Sequence, residues 1–450
     1  MNHAVQNNGM RILIILPRDA TYYYNGMFRS SVTYAPLTLT TLAALVPEEL
    51  HATIDIVDEG AQPADYDGKS WDVVGITCCA SSSARAYELC DYFKKHGAFT
   101  VLGGAHPSLM PEEAAGHADA VIAGAADRSW PQFLRDFKAG APEKMYRQGP
   151  CSRIHHPVAR RDLLRKKAYL PMPTVIATLG CGNRCDFCAI NHLWADQHRR
   201  DVDEVVEEIK QLDSKMILFL DPNLTYNKDY AKELFIRLIP LNIYWGGLAG
   251  TDFTSDRELF DLAVKSGCKA ILMGFESFSH VSLAIERKDT NDIAAYHDLV
   301  KTLHNRSIGI LGTFMLGLDG DTPESLRQMV AHIDALELDL VRFAAITPFP
   351  GTRLFERFKA EGRILTTDWR YYDQEHVVFQ PRHISPRALQ RQLHDVWRRS
   401  YSLQRIFKRF CNAREGRFVL LGANLGMRHY GRKLHAADLR LPEFLAGERS

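Results

Sequence analysis

The 450-residue sequence has no long apolar run, and its net charge is only +1. A membrane-spanning helix needs about 20 consecutive apolar residues, whereas the Ile- and Leu-rich run that begins at Arg11 stops at Pro17. The residues before this run are polar and lack the apolar core of a secretory signal. A charge this close to zero gives no global field that would recruit nucleic acid. These absences predict a cytoplasmic protein that neither spans a membrane nor binds nucleic acid.

Cysteine is also sparse, with nine residues in the whole chain. An odd number of cysteines without an export signal argues against a disulfide scaffold and for thiols or metal ligands. The hydrophobic content is 46% and the charged content 24%, which is typical of globular domains with sizeable cores. A chain of this length predicts two to three domains at about 150 residues each.

Residues 1–142 alternate strand and helix patterns. Strands are predicted at Arg11–Leu16, Thr53–Val57, Trp71–Thr77, Thr100–Leu102 and Ala120–Ala123. Helices are predicted at Tyr34–Leu45, Ser83–Lys95, Pro111–His117 and Ser129–Lys138. This alternation predicts a Rossmann-like α/β domain, with a parallel sheet covered by helices on both faces. Such sheets bind ligands beyond the carboxyl ends of their strands.

A proline-containing, partly basic stretch over 143–172 is predicted to be a linker. A second α/β series follows over 173–365, and its predicted strands are Thr174–Thr178, Met216–Leu220, Tyr244–Leu248, Ala270–Gly274, Gly309–Met315 and Val341–Ile346. Six strands separated by helical patterns predict a partial (β/α)6 barrel. Residues 366–450 are predicted to be mostly helical.

A C-x3-C-x2-C motif follows the first strand of this series, with its cysteines at Cys181, Cys185 and Cys188. Three thiolates on one loop can hold a cubane iron–sulfur cluster and leave its fourth iron without a protein ligand. A structural zinc site that recruits His192 or His198 is the alternative. The position of the motif after the first strand of a six-unit α/β series favours the cluster.

With the aromatic Phe187 before its last cysteine, this motif resembles the signature of the radical S-adenosylmethionine (SAM) superfamily. The resemblance implies a [4Fe–4S] cluster on the three cysteines, SAM bound to the open iron, and Phe187 near the adenine. The strand end Gly274-Phe-Glu-Ser277 and the segment that begins at Gly312 also resemble family segments. They imply SAM contacts from Gly274, Glu276, Ser277 and Gly312.

The family often has Gly-Gly-Glu after the second barrel strand, where this chain has Leu220-Asp-Pro-Asn223. Asp221 is the candidate acceptor for the SAM amino group, because one carboxylate can satisfy two N–H donors. The alternative is that Asp221 only caps a helix from its loop.

An α/β domain before such a barrel is similar to the cobalamin-binding subgroup of the family. The resemblance implies cobalamin contacts from the loops that follow the strands, at Thr77, Ser81, Ser82, Gly103, Gly104 and Gly124. Glycines let backbone approach a large ring closely. The chain has no D-x-H-x-x-G motif, so no axial cobalt ligand is assigned. It also departs from the subgroup pattern at Ala125, where Glu is common. The alternative is a set of ordinary turn residues in a domain that no longer holds the ligand.

The segments Asp368–Asp373 and His376–Pro381 resemble the branch that includes the hopanoid C-2 methylase and, more distantly, the bacteriochlorophyll oxidative cyclase. The resemblance implies methylation of an unactivated carbon in a small-molecule or lipid-like substrate, through a 5′-deoxyadenosyl radical and methylcobalamin. It also implies an external electron donor such as flavodoxin or ferredoxin. The alternatives are a radical cyclase or rearrangement enzyme and a non-catalytic metal-binding interaction protein.

The predicted C-terminal helices carry basic and aromatic residues, among them Trp397, Tyr401, Arg405, Lys408 and Arg409. This pattern is typical of a solvated face over a packed one. Peripheral contact with a membrane is the alternative that the pattern leaves open.

Overall fold

A computed structural model describes residues 9–19, 34–62, 64–148, 153–165, 168–194, 196–414, 416–437 and 443–446. The chain divides into two compact units, the first ending at Tyr169 and the second continuing from Leu170. Residues 149–152 and 166–167 of the predicted linker lie outside the described residues.

The first unit contains a six-stranded parallel sheet in the order β2-β1-β3-β4-β5-β6. Its strands are β1 (Arg11–Leu16), β2 (Thr53–Asp58), β3 (Val73–Thr77), β4 (Phe99–Gly103), β5 (Ala120–Ala123) and β6 (Met145–Arg147). Its helices are α1 (Leu37–Ala44), α2 (Ser83–Lys95), α3 (Ala105–Leu109), α4 (Pro111–His117) and α5 (Ser129–Lys138).

Both faces of this sheet are buried, as expected for parallel strands. Side chains alternate between the two faces along a strand. Ile12 of β1 therefore packs in one core with Trp130 and Phe133 of α5, and Leu13 packs in the other with Phe93 of α2. The predicted doubly covered α/β sheet is confirmed.

Strand β6 corrects the predicted boundary between the first domain and the linker. Met145–Arg147 was expected in the linker that begins at residue 143, but β6 pairs in parallel with β5. The side chain of Tyr146 is buried and its hydroxyl donates to Asp136 of α5 at 2.9 Å. A three-residue strand is too short for periodicity to reveal it.

The second unit contains a six-stranded parallel sheet in the order β14-β13-β12-β11-β10-β7. Its strands are β7 (Thr174–Val175), β10 (Met216–Phe219), β11 (Tyr244–Ala249), β12 (Cys268–Glu276), β13 (Gly309–Leu316) and β14 (Leu340–Ala345). A separate antiparallel pair joins β8 (Thr178–Leu179) to β9 (His198–Arg199). Helices alternate with the strands: α6 (Ile190–Leu193), α7 (Val202–Gln211), α8 (Lys228–Leu238), α9 (Arg257–Lys265), α10 (His280–Ile285), α11 (Tyr296–His304) and α12 (Pro323–Leu336). The sheet has two edges, β7 and β14, so it forms the predicted partial barrel.

The first barrel strand is shorter than predicted. The expected strand Thr174–Thr178 ends at Val175, and Thr178 belongs to the antiparallel pair. The cause is Asp221, which follows β10 and accepts hydrogen bonds from the backbone N–H groups of Ala177 and Thr178. A side chain therefore replaces the neighbouring strand as the partner of these amides.

The C-terminal part of the chain is helical, as predicted, with α13 (Arg353–Ala360), α14 (Pro386–Ser400), α15 (Leu403–Asn412), α16 (Arg417–Ala437) and α17 (Glu443–Ala446). After α14, the Tyr401 hydroxyl bonds to both the N–H and the C=O of Val341 on the edge strand β14, at 2.9 and 2.6 Å. Trp397 and Tyr401 are each only 1% exposed, so these two aromatic residues pack into the unit. No helix in the described ranges is long and apolar enough to cross a membrane.

Candidate active site

The three cysteines of the motif lie on the loop between β8 and α6 and are free thiols. Cys185 is buried, while Cys181 and Cys188 are partly exposed. The first residue between the cysteines is Gly182, and a Cβ built there would lie 1.9 Å from the Tyr226 hydroxyl. Any larger residue at this position would displace the Tyr226 ring, which is 40% exposed. Three thiols on one glycine-containing loop are a donor set that suits an iron–sulfur cluster.

A lysine that the motif does not contain lies beside all three thiols. Burial raises the pKa of Cys181, Cys185 and Cys188, and the Lys288 ammonium opposes this rise at each of them. Lys288 Nζ lies 3.1 Å from the Oε1 atom of Glu276. Burial disfavours the charged ammonium, but Glu276 and the Cys185 thiolate outweigh it and raise the pKa of Lys288. Lys288 thus places a positive charge beside the positions that the three thiolates would occupy.

Asp186 anchors the cysteine loop, here called the cluster loop, to other parts of the unit. The Asp186 N–H donates to the Glu286 carbonyl at 3.1 Å, and the Asp186 carbonyl accepts from the Leu354 N–H at 3.0 Å. The Arg357 guanidinium reaches the carboxylates of both Asp186 and Glu286. Burial raises the pKa of Glu286 to about 6, although Arg357 opposes the rise. Backbone bonds and one shared arginine therefore fix the loop between its second and third cysteines.

The Asp221 carboxylate accepts hydrogen bonds from other groups of this chain. It is 0% exposed, and its Oδ1 atom accepts from the Ala177 N–H at 3.1 Å and from the Thr178 hydroxyl at 2.8 Å. Burial raises the pKa of Asp221 to about 6, while these donors lower it. The structure therefore shows Asp221 holding the chain that leads to the cluster loop. Its carboxylate binds the backbone amides that follow the first barrel strand. The sequence had indicated a SAM contact or, alternatively, a helix cap for this residue.

Asn223, two residues further on, reaches the cluster loop and was not predicted. Its side chain lies beside Cys181 and opposes the rise in the pKa of that thiol, and its Oδ1 atom accepts from the Thr225 hydroxyl at 3.2 Å. Hydrogen bonds to sulfur tune the potential of iron–sulfur clusters. The sequence signal that could have identified Asn223 is the segment Leu220-Asp-Pro-Asn223, which stands where the family often has Gly-Gly-Glu.

The other predicted SAM residues fall into two groups. Gly274 and Glu276 lie together at the end of β12, where a Cβ on Gly274 would approach Lys288 Nζ to 3.2 Å. Ser277 is buried beside them, and its hydroxyl accepts from the Ser279 N–H at 3.0 Å. Gly312 is apart from this group on the helix-facing side of β13, because a Cβ there would lie 2.7 Å from Leu338. The structure thus gives Gly312 a packing role.

Phe187 is partly exposed on the cluster loop. Of the two histidines that a zinc site would need, His192 lies on α6 after the loop and His198 on β9. Within the described residues, no three His, Cys, Asp or Glu side chains converge as the ligands of a single metal ion.

In the first unit, the loops after β3, β4 and β5 are tied together at the carboxyl edge of the sheet. Gly104 has a φ of +99°, and a Cβ there would lie 2.7 Å from the Thr77 hydroxyl. The Ser108 hydroxyl donates to the Gly104 carbonyl at 2.7 Å and accepts from the Gly124 N–H at 2.8 Å. Ser108, which was not predicted, therefore joins two of the predicted glycines.

The remaining predicted residues of this unit line the same edge. Gly103 ends β4, and its carbonyl accepts from the Cys78 N–H at 3.0 Å. Ser81 and Ser82 are buried after β3, and the Ser81 hydroxyl donates to Asp19 at 2.6 Å. This cradle of close backbone and small hydroxyls has the chemistry that suits a large nucleotide-bearing cofactor.

Comparison with known proteins identifies the class. Residues 175–333 match the profile of the Radical SAM superfamily, and this range contains the cysteine loop, Glu276 and Lys288. These residues of the chain therefore form a radical SAM domain.

Particular relatives resemble the chain over most of its length. It is 28% identical over 419 residues to the bacteriochlorophyllide d C-12(1)-methyltransferase of Chlorobaculum tepidum, covering 90% of each chain. It is 23% identical to the hopanoid C-2 methylase of Rhodopseudomonas palustris, covering 89% of this chain and 78% of the relative. A solved structure of the radical SAM methyltransferase TsrM from Kitasatospora setae, with cobalamin and a [4Fe–4S] cluster bound, superimposes with a TM-score of 0.69. That likeness has 13% identity, covers 95% of this chain and all of the other, and shows a shared fold.

Proposed function

We propose that the chain is a cobalamin-dependent radical SAM methyltransferase that methylates an unactivated carbon of a small-molecule or lipid-like substrate. The observation that carries the proposal is the cysteine loop of a radical SAM domain, in a chain that resembles named methyltransferases over most of its length. With its cofactors bound, such an enzyme generates a 5′-deoxyadenosyl radical and supplies the methyl group from methylcobalamin.

The protein's own residues would bind and orient these groups. Cys181, Cys185 and Cys188 would hold the cluster, and Asn223 would donate a hydrogen bond at the first of them. Gly274, Glu276, Ser277 and Phe187 are the proposed SAM contacts. In the first unit, the cobalamin would lie over Gly103, Gly104 and Gly124, with the hydroxyls of Thr77, Ser81 and Ser82 beside it. Asp221 and Gly312 would act indirectly, by fixing the cluster loop and the packing of β13.

The Glu276–Lys288 pair suits an amino acid ligand. SAM carries an α-amino and an α-carboxylate group, and the pair presents an acceptor and a donor 3.1 Å apart at the end of β12. Charge-assisted hydrogen bonds of this kind are stronger than neutral ones and fix orientation. We therefore assign Lys288 to the SAM site together with the residues that the sequence indicated.

The reaction needs an external electron donor, and we propose a flavodoxin or ferredoxin. Arg184 is exposed on the cluster loop, and the guanidinium groups of Arg287 and Arg353 are about half exposed around Asp186. Exposed cations beside a buried redox group favour an acidic protein donor through electrostatic steering. Replacing Arg353 by Glu should slow reduction by flavodoxin and leave reduction by a small chemical reductant unchanged. Equal slowing with both reductants would contradict this docking role.

We also propose that the protein acts in the cytoplasm, and that a lipid-like substrate would bring its C-terminal helices to a membrane surface. All eight cysteines among the described residues are free thiols, which suits a reducing compartment.

The decisive experiment uses the full chain, purified without oxygen, reconstituted with iron and sulfide and offered hydroxocobalamin. About four irons and one cobalt per chain, with 5′-deoxyadenosine formed on addition of SAM and reductant, are expected. Iron and deoxyadenosine without cobalt would contradict the cobalamin-dependent methyl transfer and favour a cyclase or rearrangement enzyme. Zinc in place of iron, with SAM intact, would contradict an enzymatic role altogether.

A further inference from the structure

Helices α15 and α16 carry the most exposed large apolar side chains among the described residues. Leu403, Phe407, Phe418 and Val419 are 63%, 67%, 76% and 78% exposed, more than any other large apolar side chain in the described residues. Single exposed apolar residues are ordinary, but a group of them marks a surface that is covered in the working protein.

These side chains form one strip. Leu403, Phe407 and Phe410 are spaced four and three residues apart on α15, which places them on one face of the helix. The ring of Phe410 meets the ring of Phe418 on α16 edge to face, with 5.8 Å between the centroids. Ile406, which borders this face because it is three residues from Leu403 and four from Phe410, is buried and holds the helix to the protein. The apolar strip therefore consists of Leu403, Phe407, Phe410, Phe418 and Val419, and it crosses two helices.

Positive charge surrounds the apolar strip. Residues 396–437 contain ten lysines and arginines but only one acidic residue, Glu415, in a chain whose net charge is +1. Three of these cations are paired with carboxylates outside this range, Arg398 and Arg399 with Asp395 and Arg405 with Asp334. Glu415 lies outside the described residues. Lys408 and Arg417 flank the strip in the sequence and form no ion pair within the described ranges, whereas Arg414 donates to the His304 carbonyl at 2.8 Å and to the Asn305 side chain at 3.1 Å. The Arg417 guanidinium lies 5.7 Å from the centre of the Phe410 ring. The cations are therefore available to an anionic partner.

We infer that the apolar strip docks α15 and α16 on an anionic phospholipid bilayer. Phenylalanine and leucine side chains enter the boundary between head groups and acyl chains, while flanking lysines and arginines bind the lipid phosphates. A second copy of this chain is a poorer occupant, because a symmetric contact would bring two strongly positive surfaces together. The inference deepens the proposed function by giving the enzyme access to a lipid-like substrate, but it does not depend on the cofactor chemistry.

Vesicle flotation of the full chain tests this inference. We expect binding to vesicles of phosphatidylcholine with phosphatidylglycerol, much weaker binding to phosphatidylcholine alone, and a decrease with added salt because salt screens surface charge. The double variant Phe407→Ser/Phe418→Ser should lose about tenfold or more in partitioning, because each ring contributes apolar area. The double variant Lys408→Glu/Arg417→Glu should lose the preference for the anionic lipid.

The matched control is Ile236→Ser, which removes a 52% exposed apolar side chain from α8 on the barrel. It should bind vesicles like the unsubstituted protein, and all variants should keep their iron content. Unchanged vesicle binding by the Phe407→Ser/Phe418→Ser variant would overturn the inference. So would a dimer in solution that dissociates in that variant without any vesicle binding, since a second copy would then cover the strip. Vesicle binding by protein that forms no deoxyadenosine would support the docking surface and count against the proposed function alone.

Discussion

The two α/β units carry their sites at the same place on the sheet but build them from different chemistry. In the first unit, the strand-end loops are joined by backbone amides and small hydroxyls, as in the bridge from Gly104 through Ser108 to Gly124. In the second unit, thiols lie among charged side chains, with Lys288 paired to Glu276 and Arg357 shared between Asp186 and Glu286.

This difference matches what each site would hold. A large corrin ring with a nucleotide tail is recognised mainly by its shape, and backbone that approaches the ring closely provides this fit. A cluster that accepts an electron and a charged amino acid ligand is governed by local charge. Added volume should therefore damage the first site, and altered charge or lost ligands should damage the second.

The largest effect is expected from Cys185→Ala in the second unit. Cys185 is buried on the loop that Asp186 anchors, so no solvent ligand can readily replace its thiolate. Iron per chain and deoxyadenosine formation should fall to background, while cobalt binding by the first unit persists. Cys411→Ala, which removes an exposed free thiol, is the control and should change neither quantity. Retained iron in Cys185→Ala would contradict the assignment of the cluster ligands.

The next effect is expected from Gly104→Ala in the first unit. The added Cβ would lie 2.7 Å from the Thr77 hydroxyl and 2.8 Å from the Cys78 carbonyl, at a φ of +99°. Strain of this kind costs on the order of 1–3 kcal/mol and moves the loop. We expect hydroxocobalamin, titrated by its absorbance, to bind about tenfold more weakly or worse, with iron content unchanged.

Gly116→Ala controls for the loss of a glycine, because a Cβ there meets no atom within 4 Å. It should bind cobalamin normally. Equal affinity in Gly104→Ala would show that the close approach after β4 does not form the cobalamin site.

The same contrast explains what could be predicted from the sequence. Strand Ala120–Ala123 and helices Ser83–Lys95 and Pro111–His117 have the predicted bounds because their periodicity is local. The three cysteines and Gly274 to Ser277 were proposed from the sequence because contiguous motifs record them. Lys288 and Ser108 were not, since each acts through a long-range contact that sequence spacing does not reveal.

Asp221 and Trp397 show a second limit of structure prediction from sequence. The position of Asp221 after a barrel strand indicated a SAM contact, which stays a prediction, whereas its bonds to the amides of Ala177 and Thr178 could not be foreseen. The helical spacing of Trp397 was compatible with an exposed face, whereas tertiary packing buries it. Which partner a polar group meets, and which helix face is covered, depends on the assembled fold.

A smaller effect is expected from removing the positive charge at Lys288. Lys288→Met would leave the largely buried Glu276 without its partner, which destabilises a protein by about 3 kcal/mol. It would also remove a positive charge beside the three thiolates, so the cluster should become harder to reduce. A redox titration followed by electron paramagnetic resonance measures this change. Lys288→Arg keeps the charge and should restore the potential, and an unchanged potential in Lys288→Met would contradict the electrostatic role.

The smallest effect concerns Glu375, which lies away from both sites. Its side chain is buried, its Oε1 atom accepts from the Tyr430 hydroxyl at 2.5 Å, and burial raises its pKa to about 8. The unfolded value is about 4.3, so between these values the folded protein binds a proton that the unfolded chain has released. The stabilisation is therefore complete below about pH 4 and is lost as the pH rises towards 8.

Glu375→Gln keeps the shape and the Tyr430 bond but cannot ionise. Its free energy of unfolding should therefore exceed that of the unsubstituted protein at pH 8, by an amount on the order of a few kcal/mol, and the advantage should shrink towards pH 5. Urea unfolding at a series of pH values measures the difference. Glu204→Gln, on the exposed face of α7, should show no such trend. A constant difference between Glu375→Gln and the unsubstituted protein across this range would mean that Glu375 is already ionised in the folded protein at pH 5.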